Sequence, residues 1–284
     1  MPICLADYTR TVSLVDQGYR SALVTGASSG LGRAFADALI AEGLTVWGTS
    51  RSPDRLQDRD RFIPAVLDLA DARTIDRLWE RVLTEGPGVD IVVGNAGYGV
   101  FGGFTDSSFD SWASQIEGML IGTARLVHLA MPHLQAHTPS AVVILSSLAC
   151  EFPLPFMSGY NAVKGGLSGF ARGLMIESAE TGPYIVDFRP GDFRTSFNRT
   201  MGISEFKPDR TNQITRVGKR LDSIMNAAPD PVRAAHDLVR ALRRKRHAVV
   251  RTGSLFQAGL APLFSRLVPE NWLRAVSRRY FGIR

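Results

Sequence analysis

The sequence predicts an α/β fold: a doubly wound parallel sheet of about seven strands with helices on both faces. Two observations point there. Short aliphatic or β-branched runs alternate with helix-like stretches along most of the chain, the order that builds a parallel sheet covered on each side. The runs are near-continuously apolar rather than alternating, as strands buried on both faces must be.

In chain order, strands are expected at Ala22–Thr25, Thr45–Thr49, Phe62–Leu67, Val89–Gly94, Ala141–Ser146, Ile185–Arg189 and Ala248–Arg251. Helices are expected at Leu31–Glu42, Asp71–Leu83, Phe109–Ala136, Asn161–Glu180 and Pro231–Arg244. In the first helix Leu31, Ala34, Phe35, Ala38 and Leu39 recur at the three/four spacing of one apolar face. Residues 1–19 read as a loose lead-in, 20–252 as a single domain and 253–284 as a basic amphipathic extension. Residues 191–230, with Pro190-Gly191, Pro208 and Pro229, are too long for an ordinary connection and read as a substrate loop.

Composition narrows the class. With 284 residues, 45% of them hydrophobic, the chain can bury a sizeable core. Its two cysteines, Cys4 and Cys150, exclude a disulfide framework and an all-cysteine metal cage. No run of 18 apolar residues marks a membrane span. The start lacks a basic region followed by a long apolar one. A cytoplasmic protein is expected. The +6 charge is uneven: Arg240–Arg284 holds eleven basic residues and one acid, leaving the rest at −4. A mildly acidic body without a basic stripe argues against nucleic acid as partner.

The strongest local feature is Thr25-Gly26-Ala27-Ser28-Ser29-Gly30-Leu31-Gly32, between the first strand and first helix. Glycines there let the backbone turn tightly and approach a pyrophosphate, which the free N–H groups of the helix start then hold. The same residues fit the Gly-x-Ser-x-Gly nucleophile elbow of serine hydrolases, with Ser28, Asp192 and His236 in the hydrolase order. Position counts against that reading, because an elbow usually follows several strands and only 19 residues lie upstream. About 20 residues past the turn, a dinucleotide site for an unphosphorylated ribose wants a carboxylate. The chain instead offers Ser50 and Arg51, which suit a 2′-phosphate. That favours NADP(H) over NAD(H).

Tyr160 and Lys164 stand four apart, sharing one helix face. A nearby ammonium favours the phenolate and is expected to lower the tyrosine's pKa toward the working range of a general base. Ser147, thirteen residues earlier, follows the run Val142–Ser146 at the end of a strand, where open α/β sheets bind ligands. His133 and His137, also four apart, lack the carboxylate or thiol cluster that would complete a metal site.

With these motifs in order, the chain resembles the short-chain dehydrogenase/reductase family over about residues 20–252. Thr25–Gly32 matches its cofactor turn and Asp68-Leu69 its adenine-pocket acid. Gly94-Asn95-Ala96-Gly97 is similar to its Asn-Asn-Ala-Gly motif with the first Asn replaced, and Pro190-Gly191 with Thr195 to its nicotinamide-side loop. Ser147, Tyr160 and Lys164 match its catalytic residues. The resemblance implies a Rossmann-type fold, a nicotinamide cofactor, hydride transfer to or from an alcohol or ketone, and a homodimer or homotetramer. In that chemistry Tyr160 moves the proton, Ser147 orients the reacting oxygen and Lys164 holds the ribose. One departure stands out. Where relatives carry a helical Asn three residues before a Gly, Met119 precedes Gly122; a thioether lacks the amide's donors and acceptors, so the proton relay past Lys164 is expected to be weakened or rerouted.

On the substrate side, Phe152, Leu154, Phe156 and Met157 precede Tyr160, and Phe193, Phe197, Met201 and Phe206 lie in the long loop. Flanking the nicotinamide, they would make a large apolar pocket for a lipid-, steroid- or retinoid-like alcohol or ketone, with Arg194 and Arg199 as grips for an acid group. The extension mixes Leu255, Phe256, Leu260, Leu263, Phe264, Leu267, Trp272, Leu273, Val276, Tyr280 and Phe281 with arginines. Such a stretch suits peripheral membrane contact or packing on the domain or a partner subunit. The leading function is an NADP(H)-dependent oxidoreductase. A cofactor-binding sensor or scaffold with little turnover is the alternative from another class, ahead of the serine hydrolase.

Overall fold

The computed structural model describes residues 12–56, 59–179, 182–197, 202–203, 211–254, 256–260 and 268–283. Strands β1 (Ser21–Val24), β2 (Thr45–Ser50), β3 (Phe62–Val66), β4 (Ile91–Gly94), β5 (Val100–Phe101), β6 (Ala141–Leu145), β7 (Tyr184–Pro190), β8 (Gly202–Ile203) and β9 (Ala248–Thr252) alternate with helices. These are α1 (Gly30–Ala41), α2 (Ala72–Thr84), α3 (Phe109–Gln115), α4 (Gly122–Gln135), α5 (Ser158–Glu177), α6 (Thr211–Asn226), α7 (Pro231–Arg243) and α8 (Glu270–Tyr280). Seven strands form one sheet in the order β3-β2-β1-β4-β6-β7-β9, every neighbouring pair parallel.

Adjacent strand residues explain the continuous apolar runs. Val24, Val93 and Val143 point to the face covered by α1 and α7, where they meet Phe35, Leu39 and Leu238. Their neighbours Leu23, Val92 and Val142 point to the opposite face and pack with Leu78, Leu126 and Leu167 of α2, α4 and α5. Side chains alternate across a strand, so a strand covered on both sides needs apolar residues at every position. Strand order reverses between β1 and β4, and in such sheets ligands bind outside the carboxyl ends of the strands at that switch.

Four expectations are revised. The stretch 191–230 is not all loop: α6 occupies Thr211–Asn226 and buries Ile214, Val217 and Leu221, an amphipathic period that the flanking prolines obscured. The expected helix 109–136 is interrupted by a π-helical segment, Ile116–Ile121; such segments frequently mark functional sites. Helix α5 starts three residues earlier than expected, which seats Tyr160 in its first turn. Within the lead-in, residues 12–19 are docked rather than loose, with Leu14 and Tyr19 fully buried and Lys245 Nζ donating to the Gln17 carbonyl at 2.8 Å.

The extension is also docked. Phe281 and Ile283 pack with Phe101, Met157, Ile214, Val217 and Leu221 in a third apolar cluster, and the Arg220 guanidinium lies 5.0 Å over the Tyr280 ring. Trp272, on the same helix, is 64% exposed. No helix among the described residues is long and apolar enough to cross a membrane.

Candidate active site

A crevice of about 1380 Å³ opens at the carboxyl ends of the strands. The turn after β1 forms its floor. Gly26 and Gly30 have φ of +69° and +55°, the left-handed region that glycine enters without a Cβ penalty. A Cβ on Gly32 would stand 2.2 Å from the Gly26 carbonyl oxygen and 2.5 Å from Asn95 Nδ2, so only glycine lets α1 come this close to β1. The Ser29 side chain makes no capping bond to α1, leaving the helix's first N–H groups and positive dipole end facing the crevice. This cradle fits a pyrophosphate. Gly32→Ala is expected to weaken nicotinamide dinucleotide binding about tenfold or more, from overpacking of about 1–3 kcal/mol; fluorescence titration with NADPH measures it.

Asn95 braces the turn rather than facing outward. Its Nδ2 donates to the Thr25 carbonyl at 2.8 Å, while Thr25 Oγ1 accepts from the backbone N–H of Asn95 and Ala96 at 2.9 and 2.8 Å. Beyond the turn, Asp68 Oδ1 accepts from Ala70 N–H at 3.0 Å and Thr74 Oγ1 holds the Asp68 backbone. Ser50 Oγ accepts from Ser52 N–H at 3.1 Å, and Arg51 is exposed beside it.

At the other end Ser147, Tyr160 and Lys164 converge. Ser147 Oγ accepts from Ala149 N–H at 3.0 Å and donates to the Pro190 carbonyl at 3.3 Å, and its hydroxyl is a polar neighbour of the Tyr160 phenol. Lys164 is buried and donates from Nζ to the Leu145 carbonyl at 2.8 Å, with Nζ 5.6 Å from the Tyr160 ring centroid. Burial pushes the phenol up to about 12, the Ser147 hydroxyl pulling the other way. Burial thus outweighs the lowering expected of Lys164, whose ammonium donates one bond to the Leu145 carbonyl and lies over the ring. Burial in turn pulls Lys164 down to about 8.

Thus the crevice is lined by Gly26, Ser28, Ser29, Gly30, Leu31, Gly32, Ser50, Arg51, Asp68, Leu69, Asn95, Ala96, Gly97, Ser147, Tyr160, Lys164, Pro190, Gly191 and Thr195, residues the sequence places in one site. Of the apolar set, Phe152, Leu154, Met157, Phe193 and Phe197 line it, though Phe193 is 2% exposed and belongs mainly to the core under the sheet. Phe156 does not line it. At φ +59° it turns away and packs edge-on against Phe101, ring centroids 6.1 Å apart. Met201, Phe206 and Arg199 lie outside the described residues, as do Cys4, Leu255, Leu263, Phe264 and Leu267.

The hydrolase triad does not assemble. Ser28 lines the crevice, but His236 lines a separate cleft between α1 and α7, and the Asp192 carboxylate is bound by Gln257. Met119, in the π-helical segment, is 2% exposed and its Sδ accepts from Tyr98 N–H at 3.2 Å. It fills the space beside Gly97, whose Cβ would meet Met119 Sδ at 3.2 Å and Lys164 Nζ at 3.8 Å. His137 Nδ1 sits 2.7 Å from the His133 carbonyl, one helix turn back.

Sequence reasoning missed the outer wall. Leu221, Ile224 and Met225 of α6, Leu273, Val276, Ser277 and Tyr280 of α8, and Phe281 just past it also line the crevice. The amphipathic spacing of the extension was visible, but not which surface it covers.

The family model for short chain dehydrogenases matches residues 20–205. A 3-ketodihydrosphingosine reductase of Bacteroides thetaiotaomicron is 25% identical over 266 residues, covering 92% of this chain and 98% of that protein. The 3-oxoacyl-(acyl-carrier-protein) reductase of Salmonella typhimurium is 30% identical over 185 residues, 63% of this chain and 76% of its own. The crystal structure of a short-chain dehydrogenase from Streptomyces avermitilis superposes with a TM-score of 0.76 at 29% identity, covering 92% of this chain and 98% of that one. Together with the seven-stranded sheet and its crevice, these matches establish that the chain belongs to the short-chain dehydrogenase/reductase family of nicotinamide-dependent oxidoreductases.

Proposed function

We propose that the protein is an NADPH-dependent carbonyl reductase acting on an apolar ketone. The observation that carries this is the meeting of Ser147, Tyr160 and Lys164 in a crevice whose substrate end is walled by apolar side chains of α6, α8 and the segment before α5. The bound nicotinamide would supply hydride to the carbonyl carbon. The chain's own residues do the rest. Ser147 Oγ and the Tyr160 phenol hydrogen-bond the carbonyl oxygen and orient it, and Tyr160 delivers its proton there as negative charge develops. Lys164, with donors left beside its bond to the Leu145 carbonyl, would hold the ribose hydroxyls. The Asn161 amide clasps the Leu154 backbone through two bonds of 2.8 and 3.0 Å, pinning the apolar segment against α5. NADPH consumption across a panel of ketones, with NADH in parallel, tests the reading; activity confined to small charged ketones would overturn the substrate class.

The cofactor preference rests on Arg51 and Ser50, which supply a cation and a hydroxyl where a 2′-phosphate would sit. Charge-assisted hydrogen bonds contribute about 1.5–3 kcal/mol, so Arg51→Asp is expected to weaken NADPH binding by roughly 10- to 100-fold while sparing NADH. Equal effects on the two nucleotides would remove Arg51 from the site. The buried Met119 thioether in place of an amide favours slow turnover, and binding of NADPH with no ketone reduced would mark the sensor reading instead. A homo-oligomer remains the expected assembly: Gly165, Gly169 and Gly173 leave an open strip along α5 beside Ile176, 88% exposed.

A further inference from the structure

We propose that Asp192, held in place by Gln257, is a cation subsite that selects ketones carrying a protonated amine close to the reacting carbonyl. The inference rests on the carbonyl-reductase reading above and adds the polar feature of its substrate. Asp192 lines the crevice immediately after the Pro190-Gly191 turn. Its carboxylate accepts a hydrogen bond from Gln257 Nε2, and Gln257 Oε1 faces the Asp192 backbone N–H at 3.4 Å. The amide lies flat on the chain: a Cβ on Gly191 or Gly253 would stand 2.9 or 3.3 Å from Gln257 Oε1. One carboxylate oxygen, Oδ2, is thus fixed by the first turn of the extension, and the carboxyl group has little freedom to swing away.

None of the ion pairs among the described residues includes Asp192, and the Lys164 ammonium donates to the Leu145 carbonyl. Burial pushes the Asp192 carboxyl up from its usual range. Asp192 stands two residues past Pro190, whose carbonyl is 3.3 Å from Ser147 Oγ, and it lines the same crevice as Ser147 and Tyr160. The other acid on the crevice wall is Asp68. Leu148 stands against the adjoining Gly191, 3.0 Å from where a Cβ on that glycine would be, and Phe256 and Leu273 also line the crevice. A partly desolvated carboxylate bonded to a neutral amide rather than a cation gains most from a cation that arrives with the ligand, and it repels a carboxylate there. An apolar chain bearing an ammonium group near its ketone satisfies both surfaces.

The test compares a long-chain 2-amino ketone with the ketone of the same length lacking the amine, in steady-state reduction by NADPH at mildly acidic pH. The wild-type protein is expected to favour the amino ketone in kcat/KM, mainly through KM. In Asp192→Asn that preference falls about 10- to 100-fold, as for loss of one partner of a desolvated charge pair, and the amine-free ketone changes little. Gln257→Leu, which frees the carboxylate without removing it, gives an intermediate preference. Equal loss on both ketones in Asp192→Asn, with unchanged preference, would show a structural role and overturn the proposal. So would a wild-type protein indifferent to the amine. Failure to reduce even the amine-free ketone would instead bring down the carbonyl-reductase reading beneath it.

Discussion

Tyr160→Phe is expected to cut kcat for ketone reduction by about 100- to 10,000-fold, the range for removing a positioned general acid, while NADPH binds with unchanged affinity. The variant keeps the ring and its tilted contact with Phe197 at 5.6 Å between centroids, and loses only the hydroxyl beside Ser147. Burial keeps the phenol protonated, with a pKa near 12, so the proton it would deliver is present throughout the neutral range. Single-turnover absorbance of NADPH with a ketone, alongside fluorescence titration of NADPH alone, separates chemistry from binding. A variant with wild-type turnover would mean that the proton comes from elsewhere.

Arg189→Met is expected to lower the melting temperature by roughly 10 °C, from a cost of about 3–5 kcal/mol for breaking a buried ion pair at about 2–4 °C per kcal/mol in a chain somewhat shorter than this one. Arg189 donates from Nε and Nη2 to Asp187 Oδ2 at 2.9 and 2.6 Å and from Nη2 to Ser168 Oγ at 2.8 Å. Asp187 is fully buried. It also accepts from Ser168 Oγ at 2.9 Å and from Ser146 Oγ. Without the guanidinium, two hydroxyls would face a carboxylate that has no water to turn to. The same arginine binds Glu151, which Arg251 Nε also holds at 2.8 Å, and Glu151 ends the short turn that begins at Ser147. Some loss of activity should therefore accompany the loss of stability. Replacing Asp187 by Asn in the same chain should recover part of the melting temperature, because the stranded charge is then gone. A shift of under about 2 °C for Arg189→Met alone would show that the pair contributes little, as many exposed pairs do.

Local residue chemistry explains how much was readable. The glycine turn was legible because each glycine answers a backbone demand: positive φ at Gly26 and Gly30, and at Gly32 a carbonyl 2.2 Å from where a Cβ would be. Tyr160 and Lys164 were legible because one helix turn places them together whatever surrounds it. Their proton affinities were not, since burial and the Leu145 carbonyl come from distant parts of the chain. Phe156 reads as a pocket residue from its neighbours, yet its positive φ turns it toward Phe101. Nor does any local pattern announce that Gln257 reaches back to Asp192, 65 positions earlier.

Periodicity, glycine placement and helix spacing are short-range properties, and from them the residues alone specified the layered sheet, the dinucleotide cradle and the Ser147–Tyr160–Lys164 group. Which carboxylate stands without a cation, which aromatic faces the crevice, and that α6 and α8 close its outer end depended on packing between segments far apart in the chain. Burial and pairing are set by whatever arrives from elsewhere, so no stretch of sequence carries them on its own.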